Sequence, residues 1–446
     1  MSQDHKKYPR VLILSHNPLS DTQNNGKTLS AFFKNWETEN IAQLYLTTDL
    51  PDFSLCCRFF QIHDVDILKR LLLDRRVQGR RVTRSDLPEM ANFKGKVKTS
   101  SILKVLRNNG TSLLQFSRDL AWKVAGYKTR EMRRFIDEFD PEVVFFQSSK
   151  GVCAFSLAKW ICRTRNIPLV LNTTDDYVSG RFTLDPFFWI QHVQLVRAYQ
   201  WAVSYSDCVV AISEQMAAEY RQRFGGNYLV AQNSIDNPNL SKYLPGAGTV
   251  KLVYAGNLGL NRWKILGRIA GCLQELRAEE GFQVELSIYS LVAPAADALS
   301  VLNAPPVSSY KGALNSEELK AVISYSDALV HVEAFDKKNR HITRLSISTK
   351  IPEYLVSGRC IFAVGPEDVA SMQYLVENDL GVIVTSVDKA RIKQALRELI
   401  TNSGKRTRYA EKGLEHAELK HSAATTAASV FEIISTAVRE RPAQAR

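Results

Sequence analysis

The sequence has few cysteines and no long apolar run. No stretch approaches the roughly 18 consecutive apolar residues that a membrane-spanning helix needs. The first residues, 1–7, are polar and have no apolar core behind them, so we expect no secretory signal. The 7 cysteines are scattered rather than spaced as metal ligands. These absences predict a cytoplasmic protein with reduced thiols and no metal site.

The composition is that of a globular protein whose charge is unevenly distributed. The chain has 446 residues, of which 45% are hydrophobic and 23% charged, enough for two or three domains. Its net charge is +12, and residues 58–134 alone hold 19 basic against 7 acidic side chains. We interpret amphipathic patches in this segment, such as 102–107 and 113–124, as solvated helix faces. The charge predicts an anionic partner: nucleic acid, a membrane surface or a phosphate-bearing substrate.

Short apolar runs alternate with helical patterns twice along the chain. The first series begins with the strand 11–15, and the second with the strand 250–255. This order predicts an α/β protein of two doubly wound, Rossmann-like domains with a cleft between them. The expected divisions are an N-terminal domain at 1–236 with a basic insertion at about 58–134, a linker at 237–249, a C-terminal domain at 250–420, and a helix and tail at 421–446 that could pack back on the N-terminal domain.

A stretch from Ser348 to Val364 predicts a loop, a short helix, a glycine cap and a buried strand. The start of the helix offers free N–H groups, the hydroxyls of Ser348 and Thr349, and the ammonium of Lys350, which together suit a phosphate. Glu353, one turn later, is placed to accept a hydrogen bond from a sugar hydroxyl. The alternative is a plain N-cap followed by a solvated glutamate.

A second candidate segment follows the strand 250–255. Gly256 begins a turn in which the backbone can approach a ligand closely. Arg262 and Lys264, a few residues later, can supply positive charge to a diphosphate. A glycine turn with nearby basic residues becomes more specific when the same domain also carries Ser348-Thr349-Lys350.

Together these two segments resemble the donor-binding domain of GT-B glycosyltransferases, most closely the retaining enzymes of family 4. That group carries a YAGNLG…K turn followed by an STKxxEYLxSGRxI helix and strand. Residues 211–216 and 230–236 also resemble its patterns. The resemblance implies transfer of a sugar from a nucleoside-diphosphate sugar to a saccharide or lipid-linked acceptor, with retention and without a cofactor. It further implies a place in the assembly of a bacterial surface polysaccharide.

The resemblance also implies roles for individual residues. Lys350, Arg262 and Lys264 would face the diphosphate, with contacts from Ser348 and Thr349, and Glu353 would bind the ribose. The other expected donor contacts are Gly256, Asn257, Asn25 and Gly26. Fixed cations can stabilise a leaving nucleoside diphosphate without a metal ion, and the sequence has no convincing Asp-x-Asp motif.

One departure from the family concerns catalysis. Leu345 stands where many relatives have the first of two glutamates, and Glu333 and Asp336 are the nearest acidic substitutes. Where relatives place a histidine near the reacting sugar, this chain has Asp175 and Asp176, which could orient or deprotonate an acceptor hydroxyl or merely cap a turn. The catalytic candidates are His16, Asp175, Asp176 and Glu333. His16 could equally be an ordinary strand-end histidine.

Other functions stay open at this point. A sugar-nucleotide epimerase could share the fold. Residues 21–28 resemble a P-loop, but Asp21 stands where that loop needs glycine and would repel phosphate. The basic segment has no aromatic-interleaved or groove-reading pattern, so the sequence does not predict nucleic acid as a partner. An anionic membrane surface suits basic amphipathic helices better, which would make the protein peripheral on the inner face of the cell membrane.

Overall fold

The computed structural model describes residues 8–20, 24–91, 112–180, 183–235, 243, 246 and 248–440. The chain divides into two compact units, one of residues 1–231 with 426–446 and the other of residues 232–425. Most of the expected linker, 237–249, and the patch 102–107 lie outside the described residues. The domain boundaries proposed from the sequence therefore stay a prediction.

The first unit is built on an eight-stranded sheet with the order β4-β3-β2-β1-β5-β6-β7-β8. All neighbouring strands are parallel except β3 and β4. The strands are β1 (Val11–Ser15), β2 (Ile41–Tyr45), β3 (Arg58–Gln61), β4 (Arg80–Val82), β5 (Val143–Gln147), β6 (Leu169–Thr173), β7 (Cys208–Ala211) and β8 (Tyr228–Val230). The central strands are buried along their whole length because helices cover both faces of a parallel sheet.

The helices of the first unit follow its strands. They are α1 (Asn24–Phe32), α2 (Asp64–Leu72), α3 (Ser112–Ala125), α4 (Arg130–Phe139), α5 (Val152–Arg165), α6 (Pro186–Tyr205) and α7 (Glu214–Phe224). Ser213 caps α7, since its hydroxyl accepts a hydrogen bond from the N–H of Met216 at 3.0 Å. Asp185 caps α6 in the same way, through the N–H of Phe187 at 3.0 Å.

The second unit contains a six-stranded parallel sheet with the order β11-β10-β9-β12-β13-β14. Its strands are β9 (Val250–Ala255), β10 (Val284–Tyr289), β11 (Ser308–Gly312), β12 (Ala328–Val332), β13 (Cys360–Val364) and β14 (Val382–Val384). Its helices are α8 (Arg262–Glu280), α9 (Ala296–Leu302), α10 (Ser316–Ser324), α11 (Lys337–Thr343), α12 (Lys350–Val356), α13 (Ala370–Glu377), α14 (Lys389–Thr401) and α15 (Ser403–Lys420). The prediction of two α/β units with mainly parallel sheets is confirmed.

The C-terminal helix α16 (Ala423–Glu440) contributes to the core of the first unit from residue 426 onward. Val430 and Ile434 are fully buried there. Phe431 packs edge-on against Tyr8, with 4.7 Å between the ring centroids. Within the described part of the chain, no helix is long and apolar enough to cross a lipid bilayer.

The basic segment 58–134 differs from the expectation of solvated helix faces. Its first part forms β3 and β4, which extend the sheet of the first unit. Phe59 and Phe60 of β3 are buried, whereas Arg58 is exposed. The charged residues hid these short strands in the sequence. The patch 113–124 is helical as predicted, within α3.

Candidate functional site

The candidate donor site lies where β9 ends and α8 begins in the second unit. Residues 256–261 form the connecting turn. The Oδ1 of Asn257 accepts a hydrogen bond from the N–H of Gly259 at 2.7 Å, and its carbonyl accepts one from the hydroxyl of Tyr254 at 2.6 Å. Leu260 and Asn261 adopt left-handed backbone conformations, with φ of 55° and 59°. The turn therefore connects the end of β9 to Arg262, the first residue of α8.

Lys350, the first residue of α12, extends its side chain to this turn. Its Nζ is buried and has no hydrogen-bond partner among the described residues. It lies 4.3 Å from the ring centroid of Tyr254, a cation–π contact. A side-chain carbon at position 256 would overlap the Nζ, Cε and Cδ atoms of Lys350. Gly256 is therefore a glycine because the lysine side chain fills the space beside it.

A buried ion pair stands beside Lys350. The Nη2 of Arg262 donates to both carboxylate oxygens of Glu333, at 3.1 and 3.0 Å. The Nε2 of His331 lies 3.5 Å from Glu333 Oε1. The side chains of His331 and Glu333 are only 1% and 2% exposed. Because burial, aided by the charges of Lys350 and Arg262, lowers the pKa of His331 well below its usual value, this histidine is neutral.

The charge of Lys350 is poorly compensated. Burial, and next the nearby positive charge of Arg262, lower the pKa of Lys350 to about 7, against the opposing influence of Glu333 and Glu353. Since Glu333 is held by Arg262 through both oxygens, the Lys350 ammonium has no acceptor of its own within residues 248–440 or the other described ranges. Lys350 is therefore a cation at this sheet edge that no described carboxylate binds by a hydrogen bond.

The remaining predicted donor residues of the second unit lie on α8, on α12 or directly before α12. Lys264 is exposed, with its Nζ 5.5 Å from the ring centroid of Trp263. Thr349 is the N-cap residue of α12, yet its hydroxyl makes no capping hydrogen bond. The N–H of Ser348 donates to Ser371 Oγ at 2.9 Å. Glu353 is half-buried in the first turn of α12. Plain N-capping therefore does not account for Thr349.

The two acidic substitutes for Leu345 are both engaged. Leu345 itself is fully buried. Asp336 caps α11 through the N–H of Asn339 at 3.1 Å and accepts from the Nδ2 of Asn261 at 3.0 Å. Glu333 is held by Arg262. Both carboxylates thus hold the β9–α8 turn in place, and that role explains their positions without a sugar contact.

In the first unit, the predicted residues lie after β1, within α1 and after β6. His16 comes directly after β1, and burial, reinforced by Arg118, lowers its pKa. Gly26 lies in α1, where a side-chain carbon would clash with the carbonyl oxygen of Pro18. Asn25 belongs to the same helix, but its side chain lies outside the description. Asp175 and Asp176 follow β6, which is two strands from β1 in the sheet and so about 10 Å away.

The aspartate pair is tied into its own loop. Asp176 Oδ1 accepts from the hydroxyl of Tyr220 at 2.6 Å and from the N–H of Ser179 at 3.0 Å. Asp175 Oδ2 accepts from the hydroxyl of Tyr177 at 2.8 Å. These contacts correspond to the turn-capping alternative for Asp176.

Comparison with known proteins agrees with this architecture. Residues 72–232 match the family model described as glycosyl transferase 4-like domain. Sucrose-phosphate synthase from Thermosynechococcus elongatus superposes with a TM-score of 0.62 at 11% identity, covering 97% of this chain and 100% of that one. HepE from Anabaena in complex with UDP gives 0.61 at 12% identity, with coverages of 96% and 100%. A UDP-forming trehalose-phosphate synthase from Burkholderia vietnamiensis gives 0.55 at 10% identity, covering 96% and 100%. No curated protein matches the chain.

The chain has the GT-B fold, and its residues 72–232 match a glycosyl transferase 4-like domain. The predicted resemblance to family 4 glycosyltransferases is confirmed to that extent. The structure brings together four predicted residues, Gly256, Arg262, Glu333 and Lys350, although 94 positions of sequence separate the first from the last.

Sequence reasoning missed two members of the cluster. Tyr254 and His331 both lie inside buried strands, where they look like core residues. A histidine inside the apolar run of β12 was the only available signal, because a fully buried imidazole needs a reason to be there. The partnership of Glu333 with Arg262 had no local signal at all.

The described part of the chain contains no group of three or more His, Cys, Asp or Glu side chains placed to hold a metal ion. The absence of a metal cofactor from the reaction stays a prediction, as do the roles assigned to individual residues. The cysteines among the described residues are free thiols, and Cys57 is exposed.

Proposed function

We propose that the chain transfers a sugar from a nucleoside-diphosphate sugar to a saccharide or lipid-linked acceptor, with retention and without a metal ion. The observation that carries the donor assignment is the buried ammonium of Lys350, which has no hydrogen-bond acceptor in the part of the chain that the structure describes and lies beside the guanidinium of Arg262. An unpaired charge held out of water is costly, so a site of this kind is expected to take a charged ligand.

A diphosphate fits this site by charge. Its oxygens would accept hydrogen bonds from Lys350 Nζ and supply the missing negative charge. Arg262 would interact with the same group while Glu333 keeps its guanidinium in position. We assign Glu333 a positioning role through Arg262 rather than a contact with the sugar. Glu353, in the first turn of α12, is proposed to bind the ribose, and exposed Lys264 to add charge at the rim.

The proposed chemistry follows from these fixed charges. As the bond between sugar and diphosphate breaks, negative charge builds up on the leaving nucleoside diphosphate. Lys350 and Arg262 are already in place to stabilise it, which is why we propose a reaction without metal. Retention is proposed from the resemblance to family 4. His16 and Asp175 stay candidates for the acceptor side, whereas the contacts of Asp176 favour a structural role.

The donor and its setting are the least specific part of the proposal. HepE has been crystallised with UDP and with UDP-glucose, and the trehalose-phosphate synthase is UDP-forming. These relatives make a uridine nucleotide the first donor to test. For the setting, we propose surface polysaccharide assembly at the cytoplasmic face of a membrane, with the basic residues 58–134 attracted to anionic lipid.

A thermal-shift screen against UDP-, GDP-, ADP- and TDP-sugars tests the donor site. One nucleotide series should raise the melting temperature in proportion to occupancy of the native state. Lys350→Met should abolish that shift, whereas the exposed control Lys320→Met should retain it. If no nucleotide stabilises the wild-type protein, the donor assignment is wrong. Isomerised sugar formed without any acceptor would instead favour the epimerase alternative.

A further inference from the structure

Three helices of the first unit pack side by side. Helix α2 packs against α3, and α3 packs against α6. The Nε1 of Trp122 donates to Asp64 Oδ1 at 2.7 Å and joins α3 to the start of α2. The rings of Phe116 and Phe187 lie 5.7 Å apart between α3 and α6. These contacts fix the three helices as one surface element.

Each of these three helices carries large apolar side chains that are exposed. On and just after α2, Leu72 and Leu73 are 72% and 81% exposed. Leu120 and Val124 lie one turn apart on α3, and Trp189 and Ile190 are exposed on α6. We call these six residues the apolar face. Isolated exposed leucines are ordinary, but apolar residues gathered on three adjoining helices mark an interaction surface.

Positive charge accompanies the apolar face. Lys69 on α2, Lys123 on α3 and Arg197 on α6 are exposed. Helix α6 contains no acidic residue along its 20 positions. The one acid of α3, Asp119, accepts a hydrogen bond from Gln191 of α6 at 3.1 Å, and the two acids of α2 are also engaged, Asp64 with Arg118 and Asp66 with His63. The surface therefore combines exposed apolar side chains with basic ones, a combination that suits an anionic lipid surface.

We propose that the apolar face of α2, α3 and α6 inserts into the headgroup region of an anionic lipid bilayer, with the surrounding basic residues attracting the lipid phosphates. This inference deepens the proposed function, on which it rests for its lipid-linked acceptor, and it names the residues that make contact. It differs from attraction by charge alone in two ways. Helix α6 lies outside the basic segment, and insertion of apolar side chains persists in salt, whereas attraction of exposed charges is screened.

Vesicle sedimentation of the full chain separates these contributions. Vesicles of phosphatidylcholine alone are compared with vesicles that also contain phosphatidylglycerol, at about 0.1 M and about 1 M salt, where the screening length falls from about 10 Å to about 3 Å. We expect binding to the anionic vesicles that weakens, but does not vanish, at high salt. Binding that disappears completely at high salt would overturn insertion.

Matched variants locate the surface. Leu72→Ser combined with Leu73→Ser should weaken partition into anionic vesicles by about tenfold or more at both salt concentrations, because two inserted leucines are lost. Leu291→Ser with Val292→Ser, which are 84% and 70% exposed in the second unit, serves as the control and should bind like wild type. Equal binding by all three proteins would overturn the assignment.

Two further readouts complete the test. Sedimentation equilibrium without lipid asks whether the apolar face instead joins two copies of the chain. A wild-type dimer that the Leu72→Ser/Leu73→Ser variant cannot form would overturn the lipid proposal. The nucleotide thermal shift of this variant should match that of wild type, since the substitutions lie in the first unit. Vesicle binding without any nucleotide shift would support the surface while rejecting the donor site, so the two proposals can fail separately.

Discussion

Asp176 in the first unit and Lys350 in the second both lie near strand ends, but they differ in their partners. Asp176 accepts hydrogen bonds through its Oδ1 from Tyr220 and from a loop N–H. The buried ammonium of Lys350 has no acceptor among the described residues, and the neighbouring Arg262 already binds both oxygens of Glu333. Hydrogen bonds within a loop are enough to explain an aspartate as structural. A buried cation without a hydrogen-bond acceptor points instead to a ligand.

The ionisation of the two sites shows the same contrast. Burial and then the charge of Asp176 raise the pKa of Tyr220 far above its usual value, so its hydroxyl stays protonated and keeps donating. The pKa of Lys350 is instead lowered to about 7. Tyr220 therefore keeps its protonation state over the physiological pH range, whereas Lys350 changes its charge within that range. For this reason the observations support a donor site in the second unit more strongly than a catalytic group in the first.

The largest expected effect is that of Lys350→Met, a substitution of similar length without charge. Donor affinity should fall by about 100-fold or more, because a buried charge-assisted contact to the diphosphate is lost. The unliganded variant should be more stable than wild type at pH 7, by about 1–3 kcal/mol. Isothermal titration and urea unfolding measure the two effects.

The sign of that stability change follows from the two pKa values. Lys350 has a pKa of about 7 in the folded protein and about 10.4 when unfolded. Burying the charge therefore destabilises the fold increasingly as pH falls from about 10.4 to about 7, and fully below that. The advantage of Lys350→Met should vanish above about pH 10.4. A variant that is less stable at pH 7 would mean that Lys350 is a satisfied structural residue, and the contrast between the units would fail.

Glu333→Gln should have the next largest effect. It removes the buried counter-ion of Arg262, so we expect a loss of about 3 kcal/mol in unfolding free energy. Donor affinity should weaken as well, because the guanidinium is no longer held by two bonds. The control is Glu285→Gln in the exposed pair with Lys311, where less than about 1 kcal/mol is expected. If urea unfolding gave equal losses of unfolding free energy for the two variants, the buried Arg262–Glu333 pair would stabilise the fold no more than the exposed pair does.

Gly256→Ala tests the packing around the ammonium. The added carbon would displace Lys350 Nζ from its position beside Tyr254. We expect about tenfold weaker donor binding, since a displaced ion loses its charge-assisted contacts. Gly271→Ala is the control, because no atom lies within 4 Å of the new carbon and alanine favours a helix. Unchanged binding by Gly256→Ala would argue that the donor does not need the lysine in this position.

The smallest effect is expected in the first unit. Asp176→Asn should lower the unfolding free energy by about 1 kcal/mol, as should Tyr220→Phe, since each removes part of the same hydrogen bond. Neither should change donor affinity. If Asp176→Asn abolished turnover while Tyr220→Phe retained it, Asp176 would be a catalytic residue. That result would contradict the contrast between a structural Asp176 and a ligand-binding Lys350.

The sequence was most informative where structure depends on local pattern. Apolar runs located β9 and β13 to the residue, and the motif around Lys350 pointed to α12. Strands β3 and β4 were missed because Arg58, Arg80 and Arg81 interrupt their apolar pattern. A charged edge is common in short outer strands, and it hides them from periodicity.

The site was predictable only in its parts. Gly256, Arg262 and Lys350 stand in recognisable segments, but the pairing of Arg262 with Glu333 spans 71 positions and depends on the order of β9 and β12 in the sheet. From the sequence alone, Glu333 therefore resembles a substitute for the glutamate that Leu345 replaces. The structure instead shows it bound to the arginine that serves the same site.

Proton uptake on nucleotide binding is the most direct test of the central claim. UDP is titrated by calorimetry at pH 8 in two buffers with different ionisation enthalpies, using the wild-type protein and Lys350→Met. At this pH most of the free protein has neutral Lys350, and a bound diphosphate favours the ammonium. We predict uptake of close to one proton by wild type and none by the variant. Binding without proton uptake, or equal uptake by both proteins, would contradict the assignment of Lys350 as the diphosphate-binding cation.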